Sequence, residues 1–487
     1  MNRDSRFAVA GGILAALVTT GVQGQNSGQL AGGDLTHGGA SPYERSVGLG
    51  TNPANPSLGE RWLRFGVLSN VGIGLEIGEA EDFDSKIEDI SDEFDQLENS
   101  LQSLEDISVG TPSQSEINRL SQLLQDIDTF EDSANQTVSD LSDNAYAKLS
   151  VDATGPGAPL SLRFERLSGV VTLDYGVSLE ARAGLESSGK TFDTGIGQLV
   201  DANGNLNVQI TPSSNVDVSQ NANGFSQITI DNDTFTLEPE SDSGLAVQGG
   251  VVQNVGLGYA RKLFENDFGT LHGGATASFY RVTLARSGIL LNDTDNVGNQ
   301  SEDEFDDNQA TNTGFGIDAG LTWVTDHYSA GGTLRNLNAP SFDYPDTCDN
   351  PNSESCAFFT ANPEAKRNGD SFTMERQLTL DGSLHTADRR WLLAGRLDAN
   401  SIVDATGDDY QWAAISAAYR NHRFWVPSPR LGARTNLTGS ELTYVSAGAT
   451  LFRALHFDVS RSLGSTSIDD TSIPRAVQIS VGLDLQF

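Results

Sequence analysis

Along its last stretch, Ala476 to Phe487, the chain alternates apolar and polar positions without a break. Val477, Ile479, Val481, Leu483, Leu485 and Phe487 form one row; Ala476, Gln478, Ser480, Gly482, Asp484 and Gln486 form the other. Period-two alternation predicts a strand with one apolar face. A chain that stops on an aromatic residue at the end of its apolar row fits the closing strand of an outer-membrane β-barrel, with apolar residues toward lipid and small polar ones toward the lumen. Phe487 is then the barrel-closing signal. An edge strand of a soluble sandwich would alternate in the same way.

The same period recurs upstream. Leu63, Phe65, Val67, Val71, Ile73, Leu75 and Ile77 share one face of a segment from Arg61, read as one long strand unless Ser69-Asn70 is a turn. The period then changes. Phe83, Ile87, Ile90, Phe94, Leu97, Leu101 and Leu104 step by four and three, a heptad seam on a very acidic helix. Gly110-Thr111-Pro112-Ser113 breaks it, and a second helix carries Ile117, Leu120, Leu124, Ile127, Ala134, Val138 and Leu141. Two amphipathic helices around a short breaker predict an antiparallel helical hairpin, either a self-packed loop or an arm that docks a partner.

From Tyr146 on, strand patterns return: Tyr146 to Arg166, Val170 to Leu185, Leu245 to Leu263, Leu271 to Leu284, Phe315 to Thr325 and Tyr328 to Leu337. Phe372 to Leu384, Trp391 to Val403, Tyr410 to Tyr419, Leu431 to Leu437, Leu442 to Leu451 and Leu455 to Arg461 precede the closing strand. The total is about fourteen, an even number as bacterial outer-membrane barrels require. Long acidic or helical insertions alternate with turns of a few residues, and that asymmetry belongs to barrels rather than to sandwiches. The expected fold is all-β: a monomeric, up-and-down transmembrane barrel of about fourteen antiparallel strands with an inserted helical hairpin.

The N-terminus agrees. Arg3 and Arg6 precede the apolar run Phe7 to Val18, and Val22-Gln23-Gly24 offers small residues for cleavage before Gln25, which together predict a secretory signal peptide. No later apolar run reaches the length of a membrane-spanning helix. A secreted chain that crosses a membrane without helices must use a closed barrel. The expected organisation is a signal peptide over 1–24, a plug or disordered leader over 25–60, and a barrel over 61–487 with the hairpin at 80–144. The expected location is the outer membrane of a Gram-negative bacterium.

Composition sharpens this. Only 37% of the 487 residues are hydrophobic and mean hydropathy is -0.31, so a helical membrane protein is excluded, whereas a barrel hides its lipid face by alternation. The 66 acidic against 30 basic residues give a net charge of -36, which disfavours nucleic acid as a partner. Outer-membrane lipid is the expected environment. Cys348 and Cys356, the only two cysteines, lie in one Pro/Asn/Asp-rich segment and predict a loop-closing disulfide in an exported chain.

Candidate chemistry is sparse. Gly184 to Thr191 satisfies G-x-x-x-x-G-K-[ST], but a working P-loop needs a helix after it, and Gly195 and Gly197 make a poor one. The six histidines show no i,i+4 pair, and Asp293, Asp295, Glu302, Asp303, Glu304, Asp306 and Asp307 read as a solvated acidic loop rather than a spaced calcium site. No catalytic residue, metal or cofactor is expected.

The segment Arg61 to Leu185 carries a resemblance. V-G-I-G-L-E-I-G (Val71 to Gly78), the acidic hairpin, Y-A-K-L-S-V (Tyr146 to Val151), P-L-S-L-R-F (Pro159 to Phe164) and L-S-G-V-V-T-L-D-Y-G-V-S-L-E-A-R (Leu167 to Arg182) resemble the conjugal-transfer TraF-like outer-membrane proteins. Those are similar in turn to FadL-like hydrocarbon and fatty-acid uptake barrels, and Asn52-Pro53-Ala54 resembles the N-P-A of the latter's N-terminal hatch. The first resemblance implies a role in plasmid transfer, with an envelope transfer apparatus as partner. The second implies uptake of hydrophobic small molecules. A structural or adhesive surface barrel is the third reading.

Overall fold

A computed structural model describes residues 33–39, 52–59, 62–79, 144–154, 160–187, 243–290 and 304–486 except 306, 422, 469 and 470, together with scattered positions of 93–142 and the strand segments of 197–231. The signal peptide, residue 487, most of the helical hairpin and residues 291–303 lie outside the described residues.

The wall opens with β1 (Leu63–Ile77), β2 (Tyr146–Thr154), β3 (Leu160–Phe164) and β4 (Gly169–Glu186). Strands β5 (Gly197–Val200), β6 (Leu206–Thr211), β7 (Ser214–Asn221) and β8 (Gly224–Asp231) form a separate sheet in the next loop. The wall resumes with β9 (Gly244–Asn266), β10 (Gly269–Leu290), β11 (Gln309–Val324) and β12 (Tyr328–Arg335). A loop hairpin, β13 (Ser341–Asp343) and β14 (Ser371–Thr373), leads to β15 (Gln377–His385) and β16 (Trp391–Asp398). Another, β17 (Ile402–Val403) and β18 (Asp409–Tyr410), leads to β19 (Trp412–Tyr419), β20 (Ser428–Asn436), β21 (Thr443–Leu451) and β22 (Leu455–Ser462). A last loop hairpin, β23 (Ser465–Ile468) and β24 (Thr471–Pro474), precedes the closing strand β25 (Ala476–Gln486).

Each wall strand pairs antiparallel with its neighbours, and β1 pairs with β25 to shut the cylinder. Strands β2 and β3 fill one place in the wall, because β1 and β4 each pair with both. The result is a closed barrel of fourteen antiparallel strands. Ser69-Asn70 is not a turn: β1 runs through it, with register shifts against β25 between Gly66 and Val71. Every long insertion therefore lies at one end of the barrel, here the loop end, together with the short connection 437–442, and the opposite end, the turn end, has short connections alone. The hairpin insertion between β1 and β2 belongs to the loop end. Within it, residues 129–137 are helical, and the Ser133 hydroxyl donates to Glu93 of the preceding helix at 3.4 Å.

Three strand ends expected in the wall fall in loop hairpins. Phe372, Val403 and Tyr410 read with their neighbours as wall residues would, but all three sit in hairpins that cover the loop end. Short apolar alternation looks the same in a wall and in a hairpin packed on it.

The apolar rows face outward. Val477, Ile479 and Val481 are 39%, 48% and 45% exposed, while Ser480 between them is 1% exposed. Ile73, Leu257, Phe279, Phe315, Leu393 and Phe457 continue this exposed belt around the wall. An apolar belt of this extent has hydrocarbon as its natural solvent. Ile479 pairs with Ile73 and Val459 well inside the strands. An Ile479→Lys substitution is expected to cost about 2–4 kcal/mol, measured by urea unfolding of the protein in lipid vesicles. Ser472→Lys, in the exposed hairpin, is expected to stay within about 0.5 kcal/mol.

Candidate functional site

With apolar residues outside, the inward row of each strand has to be polar or small, and it carries the charges that fill the lumen. Lys148, Asp152, Glu180, Arg182, Arg286, Arg396, Asp398, Arg430, Arg434 and Asp458 are all buried. Buried charges persist only when paired and hydrogen-bonded. Three sets of partners meet that need: neighbouring wall residues, as in Arg396 with Asp398, the residues before β1, and the loops that fold in from the loop end.

Toward the turn end, the described residues before β1, 33–39 and 52–59, contact the inner wall in two places. Helix α1 (Asp34–His37) lies over β19 to β22. There the Thr36 hydroxyl donates to Asp458, which is also clamped by two nitrogens of the Arg430 guanidinium, and His37 Nδ1 lies 3.0 Å from the Ser416 hydroxyl. The approach is close: a Cβ on Gly432 would stand 1.9 Å from the Thr36 carbonyl oxygen. The second contact is made by Asn52, Pro53 and Ala54, all buried, and the 3-10 turn Asn55–Leu58 that follows. The Asn52 amide donates to the wall carbonyls of Leu321 and Gly332 at 2.9 and 3.2 Å. Its oxygen accepts from the Ala54 N–H at 3.0 Å. The Thr322 hydroxyl donates to Asn55 at 2.9 Å, and Ser57 meets His272 Nδ1 at 2.6 Å. A Cβ on Gly320 would lie 2.0 Å from the Asn52 side-chain oxygen, so only glycine admits this contact.

At the loop end the occupant is the segment between β16 and β19. Asp404 folds its own loop, accepting from the N–H groups of Thr406 and Asp408 at 2.8 and 2.9 Å. The ammonium of Lys148, on β2, donates to Asp404, to Tyr410, and to Asp408 at 2.9 Å. Arg182 on β4 and Arg367 from the β13–β14 loop reach Asp408 at 3.6 and 3.1 Å. Burial works to raise the Asp408 carboxyl, but Lys148, Arg182 and Arg367 outweigh it and hold it at about 2. The adjoining segment is tied down by Tyr344, whose hydroxyl donates to the Ala405 carbonyl at 2.6 Å while the Arg286 guanidinium stacks 4.1 Å over its ring. Val252, Val282, Leu284, Phe342, Phe372 and Met374 pack around the same point as an apolar cluster. Beside it, Glu76 accepts from the hydroxyls of Tyr146 and Tyr444 at 2.8 Å each.

A family model described as "F plasmid transfer operon, TraF, protein" matches residues 50–398. The chain belongs to this family. The match spans the Asn52-Pro53-Ala54 contact, the hairpin insertion, Lys148 and the first nine places of the barrel wall. No curated protein matches the chain. Among solved structures it is similar to a monoaromatic hydrocarbon channel, TodX, in a deletion mutant, at 12% identity and a TM-score of 0.39, covering 96% of this chain and 99% of that one. It is also similar to a FadL homologue of Pseudomonas aeruginosa, at 9% identity and a TM-score of 0.34, covering 96% and 99%.

The other sequence candidates fall as follows. Cys348 and Cys356 are joined in a disulfide at the start of helix α2 (Glu354–Ala361), in the loop over the barrel mouth. Glu304, from the acidic run, accepts from the first N–H groups of that helix at 3.3 Å and so acts as a cap for its positive end. The P-loop-like run starts inside β4, where Gly184 pairs with Tyr146 and Ala246, so its first residues belong to a ladder; residues 188–191 lie outside the described residues. Among the described residues no group of three or more His, Cys, Asp or Glu side chains is placed to hold a metal. Lys148, Asp404 and Asp408 were not singled out by motif. The signal available was an inward-facing lysine in Tyr146 to Val151 and a D-x-x-x-D turn far downstream.

Lys148→Met removes the cation shared by Asp404 and Asp408 and leaves both carboxylates in a buried site. Breaking a buried pair costs about 3–5 kcal/mol, enough to release the segment. The expected result is new protease cleavage near Thr406-Gly407 and a higher single-channel conductance. Because the Asp408 carboxyl is depressed, its contribution is present above the ordinary carboxylate range and is lost as pH falls. In the unsubstituted protein the same cleavage is therefore expected only as pH approaches about 2. Gly320→Val should displace the Asn52 contact alone, detected as increased protease access to residues 50–60 with the wall intact by circular dichroism.

Proposed function

We propose that this chain is an outer-membrane component of a Gram-negative plasmid-transfer apparatus, working as a closed-lumen platform rather than as an open pore. The observation that supports it is the filled lumen. At the turn end the pre-barrel segment occupies the wall's polar row, and at the loop end Lys148, Arg182 and Arg367 hold the Asp404–Asp408 turn in the mouth. Family membership supplies the process, and the exposed apolar belt supplies the membrane. In this reading residues 1–24 direct export, residues 25–60 act as a plug through Asn52, Pro53 and Ala54, and the loop end faces outward. The helical hairpin then stands outside the cell as a docking arm.

A second reading, a channel for hydrophobic small molecules, is favoured by one feature: the apolar cluster of Val252, Val282, Leu284, Phe342 and Phe372 inside the mouth. Deleting the gene from a plasmid-bearing strain separates the two. Conjugation frequency should fall and recover with the wild-type gene, while growth on hydrocarbons or fatty acids stays the same. The opposite pattern supports the channel, and no effect on either removes both. An epitope tag at Gly110 fixes the orientation: labelling of intact cells is expected, and labelling only after permeabilisation would reverse the barrel.

A further inference from the structure

Charge is distributed unevenly between the two barrel ends. The chain as a whole has 66 acidic and 30 basic residues. Three turns that follow one another around the turn end, 386–390, 420–427 and 452–454, reverse that balance. Among their described residues they carry Arg389, Arg390, Arg420, Arg423 and Arg453 against one acid, Asp388. Arg390 pairs with Asp388 at 3.3 Å. The backbone joins the first two turns, with the Arg420 N–H donating to the Arg390 carbonyl at 2.7 Å. Burial and the nearby Arg453 guanidinium both push the Arg420 ionisation down.

Aromatic side chains are gathered at the same place. Phe424, Trp425 and Phe452 form a mutual cluster with ring centroids 5.0 to 5.7 Å apart. Trp425 is 78% exposed within it, and Trp391 is also exposed, 4.9 Å from Tyr419. The turn is shaped, not slack: Asn421 accepts from the Arg423 N–H at 3.0 Å, and the Val426 N–H donates to the Arg423 carbonyl at 3.2 Å. Rings of this kind settle at the boundary between hydrocarbon and headgroups, where one part is apolar and the other wet. Guanidinium groups bind phosphate oxygens with matching geometry.

We propose that the arc formed by Arg420, Arg423 and Arg453 with Phe424, Trp425 and Phe452 binds anionic phospholipid of the leaflet at the turn end. The rings enter the acyl boundary, and the guanidiniums above them take the headgroup phosphate. Charge complementarity selects this occupant in a protein otherwise strongly negative, because its acid would repel the same lipids elsewhere. The proposal rests on the reading of the exposed belt as a bilayer-spanning surface.

The test uses the full barrel in phosphatidylcholine vesicles carrying a minority of brominated lipid, either phosphatidylglycerol or phosphatidylcholine. Bromine quenches nearby tryptophan, and subtracting the Trp425→Phe signal isolates Trp425. Brominated phosphatidylglycerol should quench Trp425 several-fold more than brominated phosphatidylcholine at equal content, since each surface arginine enriches anionic lipid by roughly fivefold at most. The excess should vanish in the Arg420→Gln, Arg423→Gln, Arg453→Gln variant. It should also fall in the unsubstituted protein when salt rises from about 0.1 M to about 1 M, where the screening length drops from about 10 Å to about 3 Å. The salt arm keeps the test decisive if the variant does not fold. Equal quenching by the two lipids would overturn the proposal and leave the arc to an acidic protein. An excess indifferent to both salt and the arginines would overturn it too. If the unsubstituted barrel enters neither vesicle, the membrane reading itself fails and this inference falls with it.

Discussion

The architecture depends on closure of the wall, and in the proposed membrane setting the reason is that hydrocarbon offers no hydrogen bonds. A backbone N–H or C=O left unpaired in lipid costs several kcal/mol, so a wall without helices must have no edge. The pairing of β1 with β25 removes the last one. Closing the wall then decides where every side chain goes. The apolar rows face out, and the polar rows face the lumen, where many of them are buried. The lumen's charges are thus a consequence of closure; some pair within the wall, as Arg396 with Asp398 and Arg430 with Asp458, the inward-folded loops supply ionic partners for others, and the plug segment adds neutral hydrogen bonds.

The two ends meet that demand differently. Toward the turn end the partner is uncharged or weakly charged, and fit comes from backbone approaching backbone over Gly320 and Gly432. At the loop end the partner is ionic, with one lysine shared by two aspartates and two arginines closing the ring. A contact of shape resists changes of side-chain size, whereas a contact of charge resists only while every member keeps its ionisation. The mouth is therefore the end of the lumen that chemistry can unlock.

The wall was largely legible in the sequence because its signal is local. Alternation in Val171 to Ala183 or in Ala476 to Phe487 can be read without knowing what lies opposite. The interruption of the second wall place between Thr154 and Leu160 was not read, since Tyr146 to Arg166 keeps its apolar content across the Gly- and Pro-rich stretch between them. Phe372, Val403 and Tyr410 read as wall residues for the same reason. The lumen contacts were mostly illegible because their partners are remote. Lys148 and Asp404 are 256 residues apart, and Thr36 and Asp458 are 422 apart. No periodicity links such pairs. Asn52-Pro53-Ala54 stood out only through resemblance to other barrels, and Cys348 with Cys356 only because the chain has no other cysteine.

The β1–β25 seam also has a temporal meaning. Every other junction joins successive places of the wall, separated in the chain by no more than one turn or loop insertion. The seam joins Arg64 to Gln486, nearly the whole length of the protein. Loop closure over such a span adds only about 0.6 kcal/mol for each doubling of length, so the finished cylinder is little weakened. The delay is kinetic: contacts of high sequence separation form late. Until β25 arrives, β1 remains an open edge that any other strand can occupy. The segment most exposed to mispairing is thus the first wall strand, and β25, remote from it in the chain, is the strand that protects it.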